Sequence, residues 1–113
     1  MSTMRNSVML IGRPGAEPEI RNFKNNNKKA TFRIAVNESR KNANGEWVEN
    51  TQWFPVVGWN NIADRIERHV RKGMLLAIDG SLQIEEWTDD KGQRHSVTRI
   101  LVSDLFPVEK TKE

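Results

Sequence analysis

Apolar and polar residues alternate over several stretches of this 113-residue chain, which is the pattern of strands that bury one face. The clearest stretch is residues 30–36, where Phe32, Ile34 and Val36 are predicted to face inward and Arg33 outward. Further strands are predicted at residues 7–12, 51–59, 75–87 and 96–105, with a short extended segment at residues 19–23.

The longest predicted strand alternates from Ile78 onward. Ile78, Leu82 and Ile84 are predicted to face inward, whereas Trp87 falls on the outward, otherwise polar face. Gly80 occupies an inward position, where the missing side chain allows a strand to bend at a barrel corner.

One helix is predicted, at residues 60–72, with Asn60 or Asn61 as its N-cap and Gly73 just after its end. Its apolar residues recur at helical spacing and form a single stripe, namely Ile62, Ala63, Ile66 and Val70. The polar residues 37–50, which include the hairpin-type pair Asn44-Gly45, are predicted to form a protruding finger.

The order of these elements predicts an all-β domain, a five-stranded Greek-key barrel of the OB-fold type. The single helix lies between the third and fourth long strands, where its narrow apolar stripe suits a plug for one end of the barrel. The length fits one domain, placed at residues 1–108, followed by a short charged tail at 109–113.

The amino-acid composition excludes several classes of function. The absence of cysteine excludes disulfide frameworks, thiolate zinc sites and cysteine nucleophiles. No apolar run approaches the roughly 20 residues that span a bilayer, and the N-terminal run is too short for a signal peptide, so we expect a cytoplasmic, nucleoid-associated protein. The net charge of +3 permits a polyanionic partner without requiring one.

Catalysis and metal binding have little support in the sequence. His69 and His95 have no fixed partner in the predicted elements, and two histidines without cysteine give no metal-ligand spacing. The acidic residues at 85–86 and 89–90 match no calcium loop and indicate a solvated hairpin. We therefore expect a protein that is not an enzyme and has neither cofactor nor metal.

The four tryptophans carry more information, because the chain has no tyrosine at all. Trp53 and Trp59 share one face of a strand, which is either a core face or a platform on which flat rings stack. Trp87 is outward by its alternation, although a twist could bury it. Trp47, on the polar finger, is either a further stacking residue or a staple within the finger.

Exposed indoles with cations beside them are typical of surfaces that bind single-stranded nucleic acid, since every base has a π face and every nucleotide a phosphate. Arg33 is the best placed cation because it faces outward on a strand. The other predicted phosphate contacts are Arg40, Lys41, Arg13 and Arg94, with Lys28 and Lys29 more simply explained as a solvated loop.

Between about residues 6 and 106 the chain resembles bacterial-type single-stranded DNA-binding proteins of the OB-fold family. The matching segments are residues 8–13, 18–21, 32–39, 51–57, 62–64, 70–73, 78–82 and 87–93. The resemblance implies a homotetramer, with a dimer as the alternative, that binds single strands without sequence preference in replication, recombination and repair. The family's stacking aromatics fall on Trp53, Trp59 and Trp87.

The chain departs from the family pattern at several positions. Arg40 stands where a further stacking aromatic is usual, and Phe54 where a histidine associated with the subunit interface is usual. Residues 85–86 are acidic rather than basic, which predicts weaker affinity and a smaller dependence on salt. The family's acidic C-terminal tip is absent, so recruitment of repair enzymes through it is not expected. The alternative function is an OB-fold primosomal or replication accessory protein that acts mainly through protein contacts.

Overall fold

The computed structural model describes residues 5–108, so the predicted tail at 109–113 lies outside the described residues. Its elements are β1 (Val8–Pro14), β2 (Glu19–Asn22), a 3-10 turn (Lys24–Asn26), β3 (Lys28–Lys41), β4 (Trp47–Trp59), α1 (Asn61–His69), β5 (Leu76–Thr88) and β6 (Arg94–Pro107). Five strands close a barrel in the order β1-β5-β6-β4-β3 and back to β1, while β2 pairs with β3. The helix lies between the third and fourth long strands, β4 and β5, which confirms the predicted architecture.

Two long antiparallel hairpins build most of the sheet. The β3–β4 ladder runs from the Lys29–Trp59 pair to the Lys41–Trp47 pair, and the β5–β6 ladder ends at the Thr88–Arg94 pair. The outer ends of both hairpins extend beyond the barrel. The first is the predicted finger, residues 37–50, and the second is here called the β5–β6 arm, residues 82–99.

The barrel is closed at two short seams. Strand β1 meets β3 through Arg13–Ala35 and Pro14–Ile34. Strand β4 meets β6 in parallel through the pairs Val56–Ile100 and Val57–Leu101. Each seam therefore has only two paired positions, in contrast to the long ladders of the hairpins.

The core fills the barrel with aliphatic side chains, and α1 closes one end with Ala63 and Ile66, followed by Val70. The largest fully buried side chains include Ile34, Val56, Leu76 and Ile78, in addition to Ile66 and Val70. Burying such a side chain contributes roughly 1.5–3 kcal/mol, so these residues carry much of the stability. The predicted apolar stripe of the helix is confirmed.

Gly80 lies at an irregularity of the β5–β6 ladder and is buried. A Cβ on Gly80 would lie 2.1 Å from the backbone oxygen of Leu101. The neighbouring strand therefore requires glycine here. The predicted inward position of Gly80 is confirmed, and the bend stays a prediction.

The inward assignment of Leu82 and Ile84 was wrong. Their exposed fractions are 50% and 68%, because they lie on the β5–β6 arm, beyond the part of the strand that the barrel encloses. Alternation continues along the arm, but no core covers either of its faces there.

The helix is also shorter than predicted, since it ends at His69 and Val70 has extended backbone angles that direct its side chain into the core. Gly73 does adopt positive φ, but in the following turn, where its N–H donates to the Pro14 carbonyl. The Asn60 side chain accepts a hydrogen bond from the backbone N–H of Lys28 and makes no capping bond to the helix. Among residues 5–108 no helix is both long enough and apolar enough to cross a bilayer.

Candidate nucleic-acid interface

A groove of about 900 Å³ runs over the outer surface of the barrel, across the β4–β6 seam. Its floor includes Arg33 from β3 together with Trp53 and Pro55 from β4. Val97 and Arg99 from β6 line the other side, and the loop between β1 and β2 borders it at Gly15–Glu17. Alternation along β3 and β4 places these side chains outside the barrel, opposite the buried Ile34 and Val56.

All four tryptophans are exposed, by 48% for Trp53, 40% for Trp59, 47% for Trp87 and 69% for Trp47. The alternative in which Trp53 and Trp59 fill the core is therefore excluded, and so is burial of Trp87. Trp53 and Trp59 lie six residues apart on one strand, which separates them by about 20 Å.

Trp53 packs on bare backbone. A Cβ on Gly15 would lie 2.6 Å from Cζ3 of the Trp53 ring, so the indole occupies the space that a side chain at Gly15 would need. The N–H of Gly15 donates to the Arg33 carbonyl at 3.1 Å, which fixes this loop against β3. The groove thus has an indole whose position depends on a glycine from another element.

Each of the other tryptophans has a neighbour against its ring. Phe23 stacks on Trp59 with centroids 6.0 Å apart, and Nζ of Lys29 lies 5.5 Å from the Trp59 centroid. On the finger, Nζ of Lys41 lies 5.6 Å from the Trp47 centroid. Both lysines face the tryptophan directly across the β3–β4 ladder, so the pairing register sets these cation–π contacts.

Trp87 stacks on His95, its partner across the β5–β6 ladder, with centroids 5.4 Å apart and planes at 19°. Nε2 of His95 lies 2.8 Å from Oδ2 of Asp89 at the tip of the arm. This hydrogen bond is the main reason that the pKa of Asp89 is lowered below its ordinary value. His95 was predicted to have no fixed partner, and it has two.

The predicted phosphate contacts are not equivalent in the structure. Arg33 is exposed and lines the groove, and Arg40 and Lys41 are exposed on the finger. Arg13 donates from Nη1 to the Gly73 carbonyl at 2.8 Å, and Arg94 lies 3.8 Å from Glu86, so both have protein partners.

Lys28 and Lys29 are strand residues rather than loop residues. The side chain of Lys28 pairs with Asp64, at 2.7 Å, and with Glu67, both on α1. These hydrogen bonds raise the pKa of Lys28 and lower that of Asp64. Lys28 thus attaches the barrel to the helix, whereas Lys29 faces the opposite side, next to Trp59.

Arg99 is a groove residue that the sequence reasoning missed. Its Nε donates to Oε1 of Glu85 at 2.7 Å, and this bond is the main cause of the lowered pKa of Glu85. One of the two acidic residues before Trp87 therefore pairs with an arginine in the groove. The available signal was the alternation of β6, which places Arg99 opposite the buried Ile100.

Phe23 and His95 were also missed as partners of the tryptophans. Phe54 is half-buried and packs against the core, next to Ile34 on β3, so its role as a subunit contact stays a prediction. Among residues 5–108 no three His, Asp or Glu side chains come together in a way that could hold a metal ion.

A family model described as the single-strand binding protein family matches residues 5–107. The chain belongs to the single-strand binding protein family. It is 35% identical to single-stranded DNA-binding protein 1 of Chlorobaculum tepidum over 88% of this chain and 62% of that one. The identity is also 35% with the single-stranded DNA-binding protein of Caldanaerobacter subterraneus, over 90% of this chain and 67% of that one. For single-stranded DNA-binding protein 1 of Clostridium acetobutylicum it is 32%, over 96% of this chain and 97% of that one. The chain therefore spans less than two thirds of the first of these relatives.

Solved structures of the family have the same fold. The Plasmodium falciparum SSB in complex with ssDNA superposes with a TM-score of 0.84 at 34% identity, over 96% of this chain and 99% of that one. A deletion mutant of the single-stranded DNA-binding protein from Thermus aquaticus gives a TM-score of 0.81 at 22% identity, over 92% of this chain and 50% of that one. At that identity the second structure supports the fold alone.

Proposed function

We propose that this protein binds single-stranded DNA without sequence preference and does so without catalysis. The observation that carries the proposal is the groove, which both the exposed indole of Trp53 and the exposed side chain of Arg33 line. An aromatic ring offers any base a stacking surface, and a cation next to it neutralises the phosphate. Membership of the single-strand binding protein family and the likeness to a relative in complex with ssDNA support the same proposal.

The tryptophans Trp53, Trp59, Trp87 and Trp47 act in this proposal as stacking residues. Phosphate contacts come first from Arg33, Arg40 and Lys41, whose side chains are exposed around the groove and on the finger. Arg13 and Arg94 contribute after they exchange the protein partners described above for phosphate. Arg99 joins the set, in competition with Glu85. The role follows the family, namely protection of single strands in replication, recombination and repair in the cytoplasm.

We also propose that the protein forms a homotetramer. Ile11 on β1, Ala77 on β5 and Phe106 on β6 are neighbours in a row across three strands. The large apolar side chains of Ile11 and Phe106 are exposed, and so is that of Met9 nearby. Contiguous exposed apolar surface of this kind is typical of an interface. Phe54 is the further residue expected to contribute to subunit contacts. Sedimentation of the full chain distinguishes a tetramer from a dimer.

Fluorescence anisotropy of labelled oligo-dT tests the binding function directly. The chain is expected to bind at low salt and to release the DNA as salt rises, because phosphate contacts displace counterions. Trp53→Ala is expected to weaken binding by about 1–3 kcal/mol, the usual contribution of one stacked base, whereas Trp53→Phe keeps a ring and most of the affinity. The proposal fails if the chain does not bind oligo-dT at low salt. Such a result would favour a replication accessory protein that acts through protein contacts.

A further inference from the structure

Phe23 lies between Arg21 and Trp59 in a column of four side chains on the outer surface of the sheet. Its ring stacks on Trp59 with planes at 28°, and Cζ of Arg21 lies 5.3 Å from the Phe23 centroid. Lys29 adds a cation over the Trp59 ring. We call Arg21, Phe23, Trp59 and Lys29 the Phe23 column.

Strand register explains why these residues meet. Arg21 pairs with Lys29, and Lys29 pairs with Trp59, so the three form a row across β2, β3 and β4. Phe23 follows Arg21 by two residues, which returns its side chain to the same face. Lys29 and Arg33 also share a face of β3, so the Phe23 column lies on the same outer surface as the groove.

The surroundings of Phe23 favour an anionic ligand. Residues 21–29 contain four cations and no acidic residue. Lys28 is held by the helix, which leaves Arg21, Lys24 and Lys29 as the cations of this segment that do not pair with α1. A recess of about 380 Å³ lies next to the ring on the side of the helix, and its lining includes Asn22, Asn26 and Asn27 as well as Asp64. The Asp64 carboxylate pairs with Lys28, so the cations on the outer face set the charge at the exposed ring.

Building on the proposed function, we propose that the Phe23 column is an additional nucleotide subsite, beyond Trp59, where a nucleobase stacks on Phe23 and its phosphate pairs with Arg21. Phe23 is 38% exposed and its ring is contacted by a guanidinium at the protein surface. An exposed cation–π contact is weaker than base stacking, so a base replaces the guanidinium at the ring. Arg21 then turns to the phosphate, where a planar guanidinium binds well.

The subsite makes affinity depend on oligonucleotide length. We expect Phe23→Ala to bind the shortest oligo-dT as well as the unchanged chain does, and to lose about 5-fold or more on longer strands that reach Phe23. A length series of about 4–16 nucleotides covers the range that one OB-fold occupies. Phe23→Trp keeps a ring and is expected to retain the affinity, whereas Phe23→Leu keeps the volume without a π face and is expected to lose it.

A second comparison separates a base at Phe23 from mere support of Trp59. In a Trp59→Ala background, Phe23→Ala is expected to cause a further loss, because Phe23 contacts a base of its own. No further loss there, or full affinity of Phe23→Leu at every length, would overturn the subsite. If Trp53→Ala is impaired in the same assay while Phe23→Ala is not, the subsite is wrong and the proposed DNA binding stands. If the unchanged chain does not bind, both fail.

Discussion

The imidazole of His95 stacks on the indole of Trp87, with ring centroids 5.4 Å apart, and a hydrogen bond to the carboxylate of Asp89 holds the imidazole in place. The other oxygen of that carboxylate accepts hydrogen bonds from the backbone N–H groups of Lys91 and Gln93, each at 2.9 Å. One side chain thus orders the turn of the β5–β6 arm and the ring that supports Trp87. Because the Trp87 indole is already ordered, less conformational entropy is lost when it binds a base, and this favours affinity.

The hydrogen bond from His95 lowers the pKa of Asp89 below its ordinary value of 3.8. A carboxyl group whose pKa is lowered by folding stabilises the folded state above its unfolded pKa, and this contribution disappears as the pH falls through the folded pKa. Asp89→Asn keeps an acceptor oxygen but removes the charge. We expect it to lower the melting temperature at pH 7, with the two melting curves converging as the pH falls below 3.8. A difference in melting temperature that is independent of pH would contradict this assignment.

Glu85 forms an ion pair with Arg99, whose Nε lies 2.7 Å from the Glu85 carboxylate. This ion pair competes with the binding of a phosphate by Arg99 in the groove. Glu85→Gln is expected to raise affinity for oligo-dT and to steepen the salt dependence, by about 0.7 in the log–log slope for one additional phosphate contact. Asp90→Asn is the matched control, because it removes the same charge from the exposed tip of the arm. Equal gains in the two variants would mean that only net charge matters.

Lys28 and Lys29 are neighbours of the same residue type with opposite expected roles. Lys28→Gln removes the ion pairs to Asp64 and Glu67, so we expect a lower melting temperature and unchanged DNA binding. Lys29→Gln removes a cation next to Trp59, so we expect an unchanged melting temperature and weaker, less salt-dependent binding. Calorimetry and anisotropy on both variants test this, and the same pattern in both would refute the division of roles.

Substitutions at Gly80 and Gly15 are expected to affect stability and DNA binding separately. Gly80→Ala places a methyl group 2.1 Å from the backbone oxygen of Leu101, so we expect a loss of about 1–3 kcal/mol or more in the free energy of unfolding. Gly15→Ala places a methyl group 2.6 Å from the Trp53 ring, a side chain that can move away. We expect Gly15→Ala to fold normally and to bind oligo-dT more weakly. Urea unfolding and anisotropy measure the two effects, and the prediction is wrong if Gly15→Ala binds like the unchanged chain.

The barrel could be predicted from the sequence because enclosed strands must alternate between core and solvent, as Phe32, Arg33 and Ile34 do. The β5–β6 arm could not be predicted in the same way. Leu82 and Ile84 continue the alternation where nothing covers the strand, so pattern alone assigned them to the core. The missing information was the length over which the barrel encloses β5, which depends on the seams and not on local sequence.

Trp87 was identifiable as an outward residue for the same reason as the barrel, since it interrupts a polar face, whereas alternation left Trp53 and Trp59 between a core face and a platform. The residues that contact the tryptophans could not be predicted, because Phe23 meets Trp59 only through a register shared by three strands. Arg99 likewise meets Glu85 across a ladder that no single segment reveals. Residues that act through their contacts with other strands require the pairing to be known first.

The short seam between β4 and β6 links binding in the groove to the stability of the barrel. Val56 and Val57 on one side and Ile100 and Leu101 on the other are the only paired positions between these strands in the part of the chain that the structure describes. Residues from both strands line the groove above it, including Pro55 and Arg99. A nucleic acid bound in the groove would contact residues of both strands and would hold β4 and β6 together. Occupancy would then slow the opening of the barrel at this short seam, and amide hydrogen exchange in β4 and β6 would fall together.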